Sequence, residues 1–433
     1  MGKILAISIA VPVIAAAAGA GFLTYQNIQA YDQQLQQMLS EQNKELHGQG
    51  VKINYQLVSS GWLGAVREEL FTVSDLQMGA DMIALRQQVT FEPLRASATF
   101  GIDPDIGLAA MMMKAVPQLT AEQKGEWQVD GRGQMLVSHY QTGAVNIPLP
   151  GGQIRVSPLV IDGTMELSGK GESRATISLK QVSVTDSAQG SVMLNDFSIK
   201  ARSHIQAGKP FIDKIEYQIG DLDVSAPMGK TRLSGFNLTA GSLLDKGIYS
   251  MLVSLSVKDV KTSMMNKDLS VDPSSLRLFI DGIHWDKVEK TADMLNQTTD
   301  EGLTPEAMIG SVMELVASGG SVTLEDLNYS FVMNDRSADA LSASGDIRAN
   351  GFARLSAGDA ETLMEDWHQR LNAGLTLNLS RSLMQSPAAE YMMAFIASGV
   401  LREEGDRLVS ELKFSKGEIT ANNLPLNGLA LND

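Results

Sequence analysis

From Val51 onward the chain is written in short alternating segments punctuated by Gly, Asp and Asn, a texture that restricts it to folds built from strands. Val51-Lys52-Ile53-Asn54-Tyr55 alternates apolar with polar residues, and Arg67–Val73 is its expected antiparallel partner around Gly61. Further candidates are Gln153–Ile161, Thr164–Ser168, Ala175–Val184, Ser191–Ala201, Ile212–Gly220, Asp221–Ala226, Thr231–Ala240 and Tyr249–Val257. Late strands are expected at Ser321–Met333, Gly345–Ser356, Gly374–Leu379 and Asp406–Phe414. Strands in series with turn residues between them indicate antiparallel pairing, because a parallel neighbour needs a long crossover. Alternation within them predicts one buried face and one wet face.

Helices are fewer. Asp103 and Pro104 read as cap and first residue of a helix reaching Val116. Others are expected over Trp285–Asn296, Thr304–Ala317, Asp359–Leu371 and Arg381–Ser398, the second of these with an apolar stripe of Ala307, Met308, Val312, Leu315 and Val316. The fold class is therefore mainly β (α+β), a large curved antiparallel sheet or sandwich with helical insertions behind an N-terminal transmembrane helix. No linker or low-complexity tract interrupts residues 51–433, which read as one β-rich domain, with a split near residue 262 as the alternative.

Residues Ile4 to Leu23 carry no charge. Twenty helical residues span roughly 30 Å, the thickness of a bilayer hydrocarbon core. Residues 1–23, including Ile4, Pro12, Gly19 and Leu23, are read as an uncleaved signal anchor; a cleavable signal peptide is the competing reading. Lys3 precedes the run and no Lys or Arg follows until Lys44, which places the N-terminus in the cytoplasm and the bulk across the membrane. Residues 24–50 read as a helical stalk with Ile28, Tyr31, Leu35 and Met38 on one face, a seam for the body of the protein or for a second copy in a homo-oligomer.

The signatures of catalysis fail one by one. The chain has no cysteine, hence no disulfide, thiolate metal site or cysteine nucleophile. Its five histidines are scattered. Gly229-Lys230-Thr231 resembles the end of a phosphate loop, but Val224 stands where the first glycine is needed. Glu68 and Glu69 face opposite sides of a strand, and Asp103/Asp105 and Asp221/Asp223 are explained by a cap and an edge pair. No catalytic residue, cofactor or metal is expected. A net charge of −15, from 50 carboxylates against 35 Lys and Arg, argues against nucleic acid as a partner. Methionine is abundant, at 22 residues. Met111, Met112, Met113, Met392 and Met393 are candidate contacts for an apolar ligand, with core filling as the other reading. Trp62, at the predicted hairpin tip, either caps the sheet or meets a membrane interface.

Three features combine into a resemblance. They are the N-terminal anchor with its Gln-rich helix, the segment Tyr55 to Ala65 with Tyr55, Gly61 and Trp62, and the ending that carries Gly417, Ile419 and Asn423 before Leu424-Pro425. This arrangement resembles the YdgA-like family of bacterial envelope proteins, although Ser60 stands where that family usually has Arg. The resemblance implies a protein anchored in the inner membrane of a Gram-negative cell with its bulk in the periplasm. It brings no catalytic residues. The expected function is non-catalytic binding of an apolar or lipidic ligand, or of a partner envelope protein, through the sheet. The alternative is an oligomeric structural or assembly factor without ligand.

Overall fold

In the computed structural model, the described residues are 35–37, 39–40, 42–44, 46, 50–61, 65–92, 95–118, 122–130, 135–166, 171–206, 209–265, 267–296, 305–335, 342–386 and 389–426. The expected anchor with Ile4, Pro12, Gly19 and Leu23, and Trp62, lie outside them. Among the described residues no helix is long and apolar enough to cross a membrane. The chain divides into two compact units: Met1–Val184, Asp196–Asp213 and Asn296–Gly302 form the first, and Thr185–Asn195, Lys214–Leu295 and Leu303–Asp433 the second. Residue 262 lies inside the second.

The first unit is an antiparallel meander. β1 (Val51–Ser60) pairs with β2 (Val66–Asp75), as the alternation predicts, and β3 (Ala80–Glu92), β4 (Arg95–Ile102), β5 (Lys124–Asp130) and β6 (Met135–Gln141) follow in order. A hairpin of β7 (Val145–Leu149) and β8 (Gly152–Val156) intervenes before β9 (Leu159–Glu166) pairs with β6 and with β10 (Ser173–Asp186). The single strand expected over Gln153–Ile161 is thus two, broken at Ser157-Pro158, because proline has no N–H for a ladder. Helix α1 (Gly107–Ala115) starts later than expected: the Asp103 carboxylate accepts the N–H of Asp105 and shapes a turn rather than a helix start.

The core of this unit lies on one sheet face, with Val51, Ile53, Phe71, Val73, Leu85, Val89, Trp127 and Val129 all buried. Leu35 and Leu39 of the preceding helical segment close over it. The Asn43 amide fixes that segment alongside β1, donating to the carbonyl of Ile53 (2.8 Å) and accepting its N–H (2.7 Å). Gly125 is required by a close approach: a Cβ there would stand 2.5 Å from the Phe100 carbonyl oxygen. Its strand neighbours Phe100 and Tyr140 stack on each other instead, 5.8 Å apart. Burial pushes the Tyr140 phenol up to about 12.

A polar chain runs through this core. Glu69 is fully buried and accepts hydrogen bonds from Gln87 Nε2 (2.7 Å) and the Tyr55 hydroxyl (3.3 Å), while Gln87 Oε1 accepts the indole N–H of Trp127 (3.1 Å). Replacing Gln87 by Leu takes one partner from Glu69 and strands the Trp127 N–H, at a cost of about 2–3 kcal/mol. A lowered urea midpoint for Gln87→Leu, read by tryptophan fluorescence, is the expected result.

The chain passes through β11 (Gly190–Gln206) and β12 (Lys209–Ala226) into the second unit, a second antiparallel succession. β12 pairs with β13 (Gly229–Asp245). β13 carries β14 (Ile248–Val257) and β15 (Asp259–Met264) end to end. These pair in turn with β17 (Ser274–His284) and β16 (Lys267–Val271), both of which pair with β18 (Gly320–Asp335). Then come β19 (Ser342–Leu355), β20 (Leu371–Ser380) and β22 (Arg407–Ser415), with β21 (Arg402–Glu404), β23 (Glu418–Ala421) and β24 (Leu424–Pro425) at the margin. Helices α2 (Trp285–Asn296) and α3 (Pro305–Ala317) separate β17 from β18, and α4 (Leu363–Arg370) precedes β20. The helix expected over Arg381–Ser398 is a 3-10 turn, Arg381–Gln385, followed by α5 (Ala389–Ala397); Pro387 between them disfavours helical backbone before it.

The strands expected over Ile212–Gly220 and Asp221–Ala226 are one. Gly220 falls opposite Gly235, which has φ +61°, and the pairs on either side, Ile219 with Phe236 and Asp221 with Ser234, stay in register. Across β19, β20 and β22, Arg407 grips Asp346 with two bonds of 2.6 and 2.8 Å and donates to the Asn378 side chain. The hydrogen-bonded Arg407 holds the Asp346 carboxyl below its ordinary value of 3.8. A depressed carboxylate stabilises the fold at neutral pH, and that contribution is lost as pH falls through the depressed value. Asp346→Asn should therefore cost about 1 kcal/mol at pH 7, given partial solvent screening. The difference from the parent should shrink in acid, as read from denaturant midpoints at pH 7 and below 4.

Candidate functional site

Paired residues in an antiparallel ladder share a face, and residues two apart along a strand share it too. In the second unit this rule lines up apolar side chains into rows that cross the strands. One row runs Tyr217, Leu238, Leu255, Leu276, Leu327, Ala349 and Leu377. The next runs Ile215, Ala240, Val253, Leu278, Leu324, Gly351, Leu375 and Leu412. A third runs Met251, Ile280, Val322, Ala353, Ala373, Phe414 and Ile419. A bulge in β18 between Leu324 and Leu327 keeps both leucines on the same face. The row flanking the first, Asn237, Ser256, Ser275, Asn328, Arg348 and Asn378, puts polar groups on the other face.

Among the described residues, helices cover this apolar face at its margins. At one end of the strands Trp285 of α2 lies against Tyr249 (5.6 Å) and Trp367 of α4 stacks on Phe414 (5.7 Å). At the other, Leu383, Met384, Met392 and Ile396 pack with Phe331, Ile347, Leu379 and Leu408. Between these margins Leu238, Leu255, Leu276, Leu278, Leu375 and Leu412 are only half-buried, and Val322 is 42% exposed. The contrast with Val89 and Val129 of the first unit, each fully buried, separates a closed core from an open apolar floor. Eight strands at ~4.8 Å make that floor roughly 34 Å long, and three rows at ~6.8 Å make it roughly 14 Å wide.

The opposite face is polar and internally neutralised. It holds a cavity of about 660 Å³ lined by Asp223, Lys230, Arg232, Lys261, Ser263 and Asp268, among others. Arg232 bonds Asp221 (3.1 Å) and approaches Asp223 (3.7 Å), and Lys261 pairs with Asp259 (3.1 Å). Hydrogen bonds from Ser234 and Arg232 hold the Asp221 carboxyl below the usual carboxylate range. Among the described residues, no three His, Asp or Glu side chains come together as a metal site.

The residues singled out from the sequence are dispersed. Met113 is buried and Met111 is 69% exposed, on α1 of the first unit, where Met112 also lies. Met392 packs on the helical margin of the floor, whereas Met393 beside it is 53% exposed. Tyr55 leans on Phe71 and bonds Glu69. The Gly61 N–H donates to the Val66 carbonyl and closes the β1–β2 hairpin. Gly417 (φ +79°) with Lys416 (φ +52°) turns β22 into β23, Ile419 joins the third row, and Asn423 (φ +65°) sits in the following turn. Sequence reasoning missed Asn422, whose amide accepts the N–H of Glu411 and donates to the carbonyls of Gly399 and Val400. It also missed the rows, which require the register of eight strands.

An aspartate at Leu278, mid-floor, should sharply reduce the fluorescence enhancement of anilinonaphthalene sulfonate on the native protein. Arg277→Ala, on the polar face, should leave the enhancement near the parent value.

Comparison with curated proteins and with solved structures found no match. A family model described as a bacterial protein of unknown function matches residues 82–427, which include every strand of the apolar floor. The chain belongs to that bacterial family, DUF945.

Proposed function

We propose that this is a non-catalytic protein of the Gram-negative envelope. It is anchored in the inner membrane by residues 4–23, with its bulk in the periplasm, and it holds acyl chains of lipids on the apolar floor of the second unit. The YdgA-like motifs around Tyr55, Gly61 and Trp62 and the charge asymmetry about Lys3 support the location. The observation that carries the ligand reading is the floor itself, three apolar rows whose middle leucines are left half-buried between helical margins. Each Å² of apolar surface withdrawn from water is worth about 25 cal/mol, so the floor favours a ligand with long apolar contact and little polarity. Its length, roughly 34 Å by strand spacing, is close to the ~30 Å filled by the chains of two opposed leaflets.

The oligomeric-stalk alternative has less to stand on, because Leu35 of the proposed seam is buried in the core of its own chain. A benzophenone amino acid at position 278, irradiated in intact cells, tests the ligand reading. Phospholipid adducts at position 278 but not at position 277 are expected. Protein adducts alone, or none at either position, would sink it.

A further inference from the structure

A second feature concerns where the first unit sits against a membrane, and it rests on the anchor reading. The Asn43–Ile53 pair of hydrogen bonds sets the helical segment beside β1, and only the short stretch after Leu46 leads into the strand, so the helix runs back along β1. Ser60, at the end of β1, lies seven residues beyond Ile53, or roughly 24 Å along the strand. The described part of that helix reaches back to Leu35, eight residues before Asn43, or roughly 12 Å in the direction of the hairpin end of β1. The N-terminal end of the described helix therefore faces the hairpin end of β1, the side from which the preceding chain arrives.

That tip has the surface expected there. Gln56 to Ser60 are all exposed, and Leu57, Val58 and Val66 are 43%, 40% and 39% exposed. The sequence from Gln56 to Val66 contains no charged residue, in a chain where charged residues make up 20%. Solvated hairpin arms ordinarily carry charge; an uncharged arm with protruding aliphatic groups suits the boundary between headgroups and acyl chains.

We propose that Leu57, Val58 and Val66 rest in the same bilayer interface that receives the anchor, so that the first unit meets the lipid surface at two places. The absence of cysteine makes the test direct. Single variants Leu57→Cys, Val66→Cys, Met78→Cys and Ser8→Cys of the full-length protein are labelled with bimane and reconstituted in phosphatidylethanolamine/phosphatidylglycerol vesicles containing doxyl lipids. Met78, 55% exposed in the turn at the far end of β2, is the aqueous reference, and Ser8 lies within the uncharged run of the anchor. Quenching several-fold stronger at positions 57 and 66 than at 78, together with strong quenching at 8, is the expected result. Strong quenching at 8 with 57 and 66 equal to 78 overturns the hairpin contact and leaves the anchor standing. Weak quenching at all four positions overturns the anchor and this proposal with it.

Discussion

Strand register is the constraint on which the second unit depends. A slip of one residue in any ladder from β12 to β22 would exchange its leucines and isoleucines for the serines, asparagines and arginines between them. Several local devices resist such a slip. The pairing across Gly220 and Gly235 keeps register, the β18 bulge takes up one extra residue between Leu324 and Leu327, and Arg407 ties Asp346 to Asn378 across three strands. The apolar floor is the summed result of pairings that each concern only two strands.

The two units use the same strand chemistry to different ends. In the first, a helical segment and α1 bring apolar cover, and side chains such as Phe71, Trp127 and Val129 leave water almost completely. In the second, the described helices meet the sheet at its margins, and the leucines of the middle rows keep part of their surface in water. Forgoing that burial costs stability, since each half-exposed leucine forfeits part of the ~1.5–3 kcal/mol its full burial would bring. With no cysteine, ladder hydrogen bonds and the closed margins must hold the sheet together without covalent help.

Much of the fold was legible because alternation and turn residues are local. β1, β2, β10, β13 and β14 lie close to where the pattern sets them, and α2 and α3 begin at or next to the expected residues. The failures have particular causes. β3 reads Met-Ile-Ala-Leu and then Gln-Gln, and its buried Ala84 and Gln87 hide the alternation. Glu69 was legible as facing away from Glu68, but its full burial depends on Gln87 and Trp127, far along the chain. The apolar rows of the second unit were not legible, because their members are ordinary aliphatic and aromatic residues joined only through tertiary pairing. Of the residues named in advance, Met392 borders them and Ile419 lies in the third.

Asn43 has a meaning beyond packing. By offering one donor and one acceptor to Ile53, its side chain imitates the backbone of a missing neighbouring strand. An outer strand with open hydrogen-bonding groups is a template on which copies of a protein can add to one another without end. The amide occupies that template at Ile53, near the start of β1, so the residues leading into the sheet also deny part of its edge to a second copy.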